Sequence, residues 1–358
     1  MEAGTDAGAA RAAPQRIRGA ATTLLRQRFF AVLVMLVALV VFFSLTQERY
    51  LTSANFETML TGASILWIVA IGSTFVMLTG GFDLSVGSLL ALSGILLGIC
   101  INDWGIEPWM AILIVLAFGA LVGTFINGLL IGRLGLPFFV ITLATLILYR
   151  GLVNLTSDTK TTAINSSLLD SIAYDKWLGV PIPVWIMIVT VVIAGYVLRS
   201  TYFGRDVYAV GGNPTAAGLS GVKVPRTLMA VYGIVGLTAA LGGILQSARI
   251  GAASPQVGED IIFDAAAAVL LGGTLFSGGV GGVAGTAVGV LFLAALQNGL
   301  SVAGVQTFWQ QIVTGVILIL AMLLDKAQRD GLGIRDLFSR IRARRGNAEP
   351  ATDGAPAP

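Results

Sequence analysis

Residues 199–226 read RSTYFGRDVYAVGGNPTAAGLSGVKVPR, the longest polar, basic interruption in a chain that is otherwise almost continuously apolar. The stretch carries Arg199, Arg205, Lys223 and Arg226 against a single acid, Asp206. A short helix is written into its middle. Asn213 is a good N-cap, because its side-chain oxygen can take an orphaned amide of the first turn. Pro214 at the first helical position lacks only an N–H that would have gone unpaired. Thr215 to Leu219 supplies about one to two turns, and Ser220-Gly221 provides the stop. From these residues alone the stretch is either a linker between two halves or a short, rigid surface for another molecule to grip.

Outward from it, the chain is 56% apolar and 11% charged over 358 residues, whereas soluble domains carry roughly a quarter charged residues. A water-soluble protein of this length could not hide so much apolar surface. The expected fold is therefore an all-α polytopic membrane protein. Apolar runs of spanning length, about 17 to 25 residues, fall at 29–46, 61–80, 84–101, 109–132, 137–153, 181–198, 227–249, 260–277, 282–301 and 308–324. That makes about ten transmembrane helices. Glycine is frequent across the two runs at 260–277 and 282–301, and only the short break at Ser277-Gly278-Gly279 separates them.

Ten spans with an inside N-terminus put both tails and the turns at 81–83, 133, 199–226 and 278–281 in the cytoplasm. Five basic residues then lie in the N-terminal tail, one at Arg133, four in the central stretch and seven from Lys326 onward, 17 of the 22 in the chain. This is the positive-inside pattern. Residues 1–28 read as a basic cytoplasmic tail, 29–325 as the membrane domain, and 326–358 as a second cytoplasmic tail. The leader is too long and its flank too polar for a cleaved signal peptide, so the first span is expected to stay. Arg335, Arg340, Arg342, Arg344 and Arg345 suit an amphipathic helix on anionic membrane lipid, ahead of a disordered Ala-, Pro- and Gly-rich end. The longest outside segment, 154–180, is polar and is either plain connection or a docking face.

The chain has no histidine and one cysteine, Cys100. Histidine-based metal sites, general bases and the usual triads are excluded, as is a disulfide within one chain. The net charge of +3 sits beside the spans and is no nucleic-acid signal. Gly272-Gly273-Thr274 and Gly278-Gly279-Val280-Gly281-Gly282 are not phosphate loops, since no Gly-Lys-Ser/Thr follows. They read first as sites of close helix approach.

Asp83 is the only acid between Glu57 and Asp103. Charge at membrane depth is costly and points to function, yet Asp83 is also well placed to cap the following span. Asp264 follows Ser254-Pro255 and Gly258, a pattern for an irregular or re-entrant path, which survives in a membrane only where protein or a polar cavity surrounds it. Gln246, Arg249, Asn298, Gln310 and Gln311 are further polar groups whose plain role is interhelical hydrogen bonding. Asn127-Gly128-Leu129 with Phe138 downstream is echoed by Asn298-Gly299-Leu300 with Trp309 downstream. The two lie on spans of opposite direction, as an inverted repeat requires.

The stretches Gly80-Gly81-Phe82-Asp83-Leu84-Ser85-Val86-Gly87-Ser88, Gly211-Gly212-Asn213 through Leu219-Ser220-Gly221, and Ala266 through Thr274 occur in that order. Together they resemble the permease subunits of ribose-type ABC sugar importers, the ribose, xylose, arabinose and galactoside systems, over about residues 50–325. The resemblance implies a homodimer in the bacterial inner membrane. A cytoplasmic ABC ATPase would carry ATP and Mg, with no cofactor on this chain, and an extracytoplasmic sugar-binding protein would dock outside. Asn213, Pro214, Ala216, Ala217, Leu219, Ser220 and Gly221 would then form the coupling helix. Gly218 departs from the basic residue often found there, so an ion pair to the ATPase from that position is not implied. Alternating access would move a monosaccharide or polyol along a path whose candidate lining is Phe82, Asp83, Ser85, Asn127, Phe138, Phe263, Asp264, Asn298, Trp309 and Gln310. The competing reading is a secondary, ion-coupled transporter with Asp83 and Asp264 as its relay. A membrane-embedded enzyme is disfavoured by the absent histidines.

Overall fold

The computed structural model describes residues 30–329. The basic N-terminal tail and the arginine-rich stretch from 335 to 345 lie outside the described residues. Each of the ten apolar runs carries a helix. The first five are α1 (Phe30–Thr46), α2 (Ser53–Leu78), α3 (Val86–Gly98), α4 (Pro108–Val122) and α5 (Phe138–Ser157). After the short α6 (Ser167–Tyr174) come α7 (Ile182–Ser200), α8 (Tyr202–Gly212) and α9 (Pro214–Leu219). The series ends with α10 (Val224–Ile250), α11 (Ile261–Leu271), α12 (Val283–Val302) and α13 (Thr307–Arg329). Two antiparallel ribbons join β1 (Thr162–Ala163) to β4 (Ala252–Ala253) and β2 (Lys176–Trp177) to β3 (Val180–Pro181).

Helices α3 and α4 do not stop where their α pattern does. They continue in wider π turns over Ile99–Asp103 and Gly123–Arg133, a conformation that usually lasts a single turn. With those continuations, 7 helices among the described residues are long and apolar enough to cross a membrane. α1, at 17 residues, and the apolar Thr307–Leu323 part of α13 sit at the lower edge of spanning length.

α11 corrects the sequence reading. The run at 260–277 is expected to span, but its helix lasts 11 residues, which rise about 16 Å against an apolar layer of about 30 Å. Beyond Leu271 the chain turns repeatedly, with Gly273, Gly278 and Gly279 at φ of 84°, 85° and 73°. Hydropathy scores these glycines as apolar and is blind to the turns they make. Upstream, residues 254–260 are irregular, as the Ser-Pro and glycine signals predict.

α10 is the hub, packing on α2, α3, α4 and the π continuation of α4. A methyl group on Gly119 or Gly236 would strike the other's carbonyl, so α4 and α10 cross backbone to backbone. Small residues permit this approach, and packing is what holds helices together once lipid surrounds them. α1 rests its Phe43 ring on Gly299 of α12. α2, α3 and α10 are mostly buried, whereas α4, α5 and α7 point most of their apolar side chains outward.

Loop contacts sort the two ends of the bundle. Gly279 N donates to Leu78 O at 2.8 Å. A methyl on Gly211 would also strike Leu78, and one on Gly132 would strike Pro225. The turns near 79, 133, 199–226 and 278 therefore share one end, here the α9 end. Asn102 Nδ2 donates to Ala163 O at 2.9 Å, Lys176 pairs with Glu57 at 2.7 Å, and β1 pairs with β4. These mark the opposite end.

Candidate functional site: a capped helix and a polar end cavity

At the α9 end the central stretch holds two helices, where the sequence reading expects one. α8 is capped by Thr201, whose hydroxyl accepts from Gly204 N at 3.1 Å. In α9, Asn213 Oδ1 accepts from Ala216 N at 2.9 Å, with Pro214 in the first turn. Ser220 N donates to Ala216 O at 3.0 Å and Val222 N to Ala217 O at 3.0 Å, and Gly221 takes φ 91°. These bonds close the helix at both ends, so its six residues hold a shape that an isolated peptide of that length would not. Ala217 is its buried anchor, while Leu219 points outward at 88% exposure. Gly211 is wedged between Leu78 and Gly279, and Tyr208 Oη donates to Gly281 O at 2.9 Å. Burial raises the Tyr208 phenol above its ordinary value. The platform under α9 is thus tied to the end of α2 and to the loop before α12.

At the opposite end a cavity of about 540 Å³ opens between α2, α10, α11, α12 and α13. Asp264, Asn298 and Gln310 from the predicted path line it, joined by Gln246, Arg249, Gln256, Glu259, Asp260 and Gln297. Asn298 and Asn55 exchange paired amide bonds of 2.9 Å each. Gln310 Nε2 donates to Ser301 Oγ and Val305 O, both at 3.1 Å. Gln311 Nε2 donates to Asp260 Oδ2 at 2.8 Å, joining α13 to the approach of α11. Gln297 and Thr314 flank the Asp264 carboxylate. Neither is singled out by the sequence reading, because polar residues scattered on separate helices show no shared spacing.

The irregular segment before α11 is held by a cation outside the cavity lining. Arg150 Nη1 donates to Pro255 O at 2.6 Å, and both its terminal nitrogens reach Val257 O at 3.4 Å. Next to it, Gly258 lies so close to Gly87 that a methyl on either would strike the other's carbonyl.

The remaining predicted path residues lie elsewhere. Asp83, only 4% exposed, accepts from Ser85 N at 2.8 Å, Ser85 Oγ at 2.6 Å and Asn127 Nδ2 at 3.1 Å. It binds the amide of Ser85, the residue before α3, in an Asx turn and caps no amide within the helix, and it does not line the cavity that holds Asp264. Phe82 packs on Phe276 at 5.8 Å between ring centres. Phe138 is half-buried, and Phe263 and Trp309 are 50% and 60% exposed on the outer surface. Asn127 and Asn298, the two halves of the sequence echo, have different surroundings: one meets Asp83 on a π turn, the other meets Asn55 on a regular helix.

A family model described as "Branched-chain amino acid transport system / permease component" matches residues 55–322. The chain belongs to this permease family. The permease is 40% identical over 290 residues to the ribose import permease of Bacillus subtilis (strain 168), covering 80% of this chain and 89% of that one. It is 38% identical over 314 residues to the ribose import permease of Escherichia coli (strain K12), covering 86% and 95%. The xylose transport system permease of the same strain is 32% identical, covering 85% and 93%. No solved structure matches. The matched span takes in α2 through most of α13, so the capped helix and the polar cavity both belong to the permease's shared body.

Proposed function

We propose that the permease is the membrane subunit of an ATP-driven importer, carrying a monosaccharide or related polyol inward by alternating access. The observation that carries this reading is the near full-length similarity to two ribose permeases, combined with α9 as a capped, outward-facing helix. On this reading a cytoplasmic ABC ATPase, holding ATP and Mg, receives α9 with Leu219 at the contact. A sugar-binding protein docks at the opposite end, and a second copy of the chain completes the path.

The cavity chemistry favours a neutral polyhydroxylated cargo. Its carboxamides offer donors and acceptors together, which matches hydroxyl groups. Glu259, Asp260 and Asp264 outnumber Arg249 there, which disfavours anions. A branched-chain amino acid would instead want an apolar slot for its side chain. The bundle's basic turns gather at the α9 end, which by the positive-inside rule is the cytoplasmic one.

Affinity capture of the tagged permease with its co-expressed ATPase tests the reading. The intact chain is expected to retain the ATPase, and Leu219→Asp is expected to lose it while remaining folded in the membrane. If neither form retains an ATPase, the importer reading falls and an ion-coupled transporter replaces it.

A further inference from the structure

We propose that the groove between α7 and the start of α12, at the α9 end, is a binding site for an anionic diacyl phospholipid. The groove encloses about 840 Å³. Of its lining, Leu198 of α7 and Val283 are buried and Val191 is partly buried, whereas Arg199 and Arg205 are exposed at its rim. Neither arginine joins an ion pair among the described residues. Arg205 lies over the Tyr202 ring at 4.2 Å, which leaves the guanidinium edge free to donate. The nearest acid in sequence, Asp206, lines a different hollow together with Lys223 and Arg226.

A second observation points to an acyl chain. Gly195 sits in the interior of α7 and lines the groove, yet a methyl added there would meet nothing within 4 Å. Glycine is disfavoured in a helix interior relative to alanine, and no neighbour among the described residues explains it. The notch it leaves runs along the membrane-spanning part of α7, below the arginines at its end. Apolar notch and cationic mouth are thus stacked along the bilayer normal, the order in which a phospholipid presents its tail and its phosphate. Basic pockets between membrane helices recognise lipid headgroups in this way.

The test uses the full-length permease, delipidated in detergent, with palmitoyl-oleoyl phosphatidylglycerol or phosphatidylcholine added and bound lipid counted by native mass spectrometry. Phosphatidylglycerol is expected to be retained about ten-fold better or more, because the two arginines attract its anionic headgroup. The R199Q/R205Q double variant should lose that preference, and R199K/R205K should keep it. Gly195→Trp should displace both lipids with the fold intact. Equal retention of the two lipids, or an undiminished preference in R199Q/R205Q, overturns the proposal. So does a cross-link from Gly195→Cys to a second copy or to a soluble subunit, since that occupant would exclude the lipid.

Discussion

Gly211 and Gly212 are adjacent, and the structure gives them opposite tolerances. A methyl on Gly211 would run into the Leu78 carbonyl and the Gly279 amide, backbone atoms that cannot step aside, whereas one on Gly212 meets nothing within 4 Å. Gly211→Ala is expected to lower stability by more than about 2 kcal/mol, read as a fall in the thermal midpoint in detergent. Gly212→Ala should match the parent. Equal behaviour of the pair would show that the close approach is absent. Asp83 offers a second contrast. Asp83→Ala leaves the Ser85 amide and hydroxyl without their acceptor and takes one of two from the Asn127 amide, which keeps Ser85 Oγ, a loss of about 1–3 kcal/mol. Asp83→Asn retains one acceptor and should cost less. If the two variants melt together, the anchoring role of the carboxylate is refuted.

Helix α9 is the element whose shape depends most on one side chain. Removing an N-cap costs about 1 kcal/mol, so Asn213→Ala should weaken ATPase binding about five-fold, while Asn213→Ser should restore it. An affinity titration of the ATPase on the purified permease reads this directly. For the segment before α11, Arg150→Gln removes the clamp on Pro255 and Val257. Faster hydrogen exchange is expected over residues 252–260 and not over the adjoining α10. These two elements also mark what the sequence could show. Asn213-Pro214 and Ser220-Gly221 are local signals, and α9 forms where they say. α11 is shorter than its apolar run because the chain leaves the helix at Gly272 and turns at Gly273, and hydropathy carries no dihedral information. The π continuation through Asn127 leaves no periodic trace for the same reason. The cavity is the least legible part: Asp264, Asn298 and Gln310 are visible as odd polar residues, but Gln297 and Thr314 join them only through packing between distant helices.

For the whole molecule, the sorting of loops to two ends fixes a topology that labelling can check. Cys100 is buried, so a single cysteine introduced at Leu178 or at Leu219 would dominate the reaction. An impermeant maleimide on intact cells should modify Leu178→Cys, and Leu219→Cys only after the membrane is opened. The reverse pattern would invert the molecule and remove α9 from the ATPase side. The bundle carries one more consequence in the junction of Leu78, Gly211 and Gly279, where main chain meets main chain. A push delivered through α9 reaches α2 and the loop before α12 along peptide groups, like a rod through a clevis, without passing through any rotatable side chain. The far end is built the other way, from amides and carboxylates that can be exchanged one at a time. On the importer reading proposed above, cargo preference can drift by substitution while the drive train stays as it is.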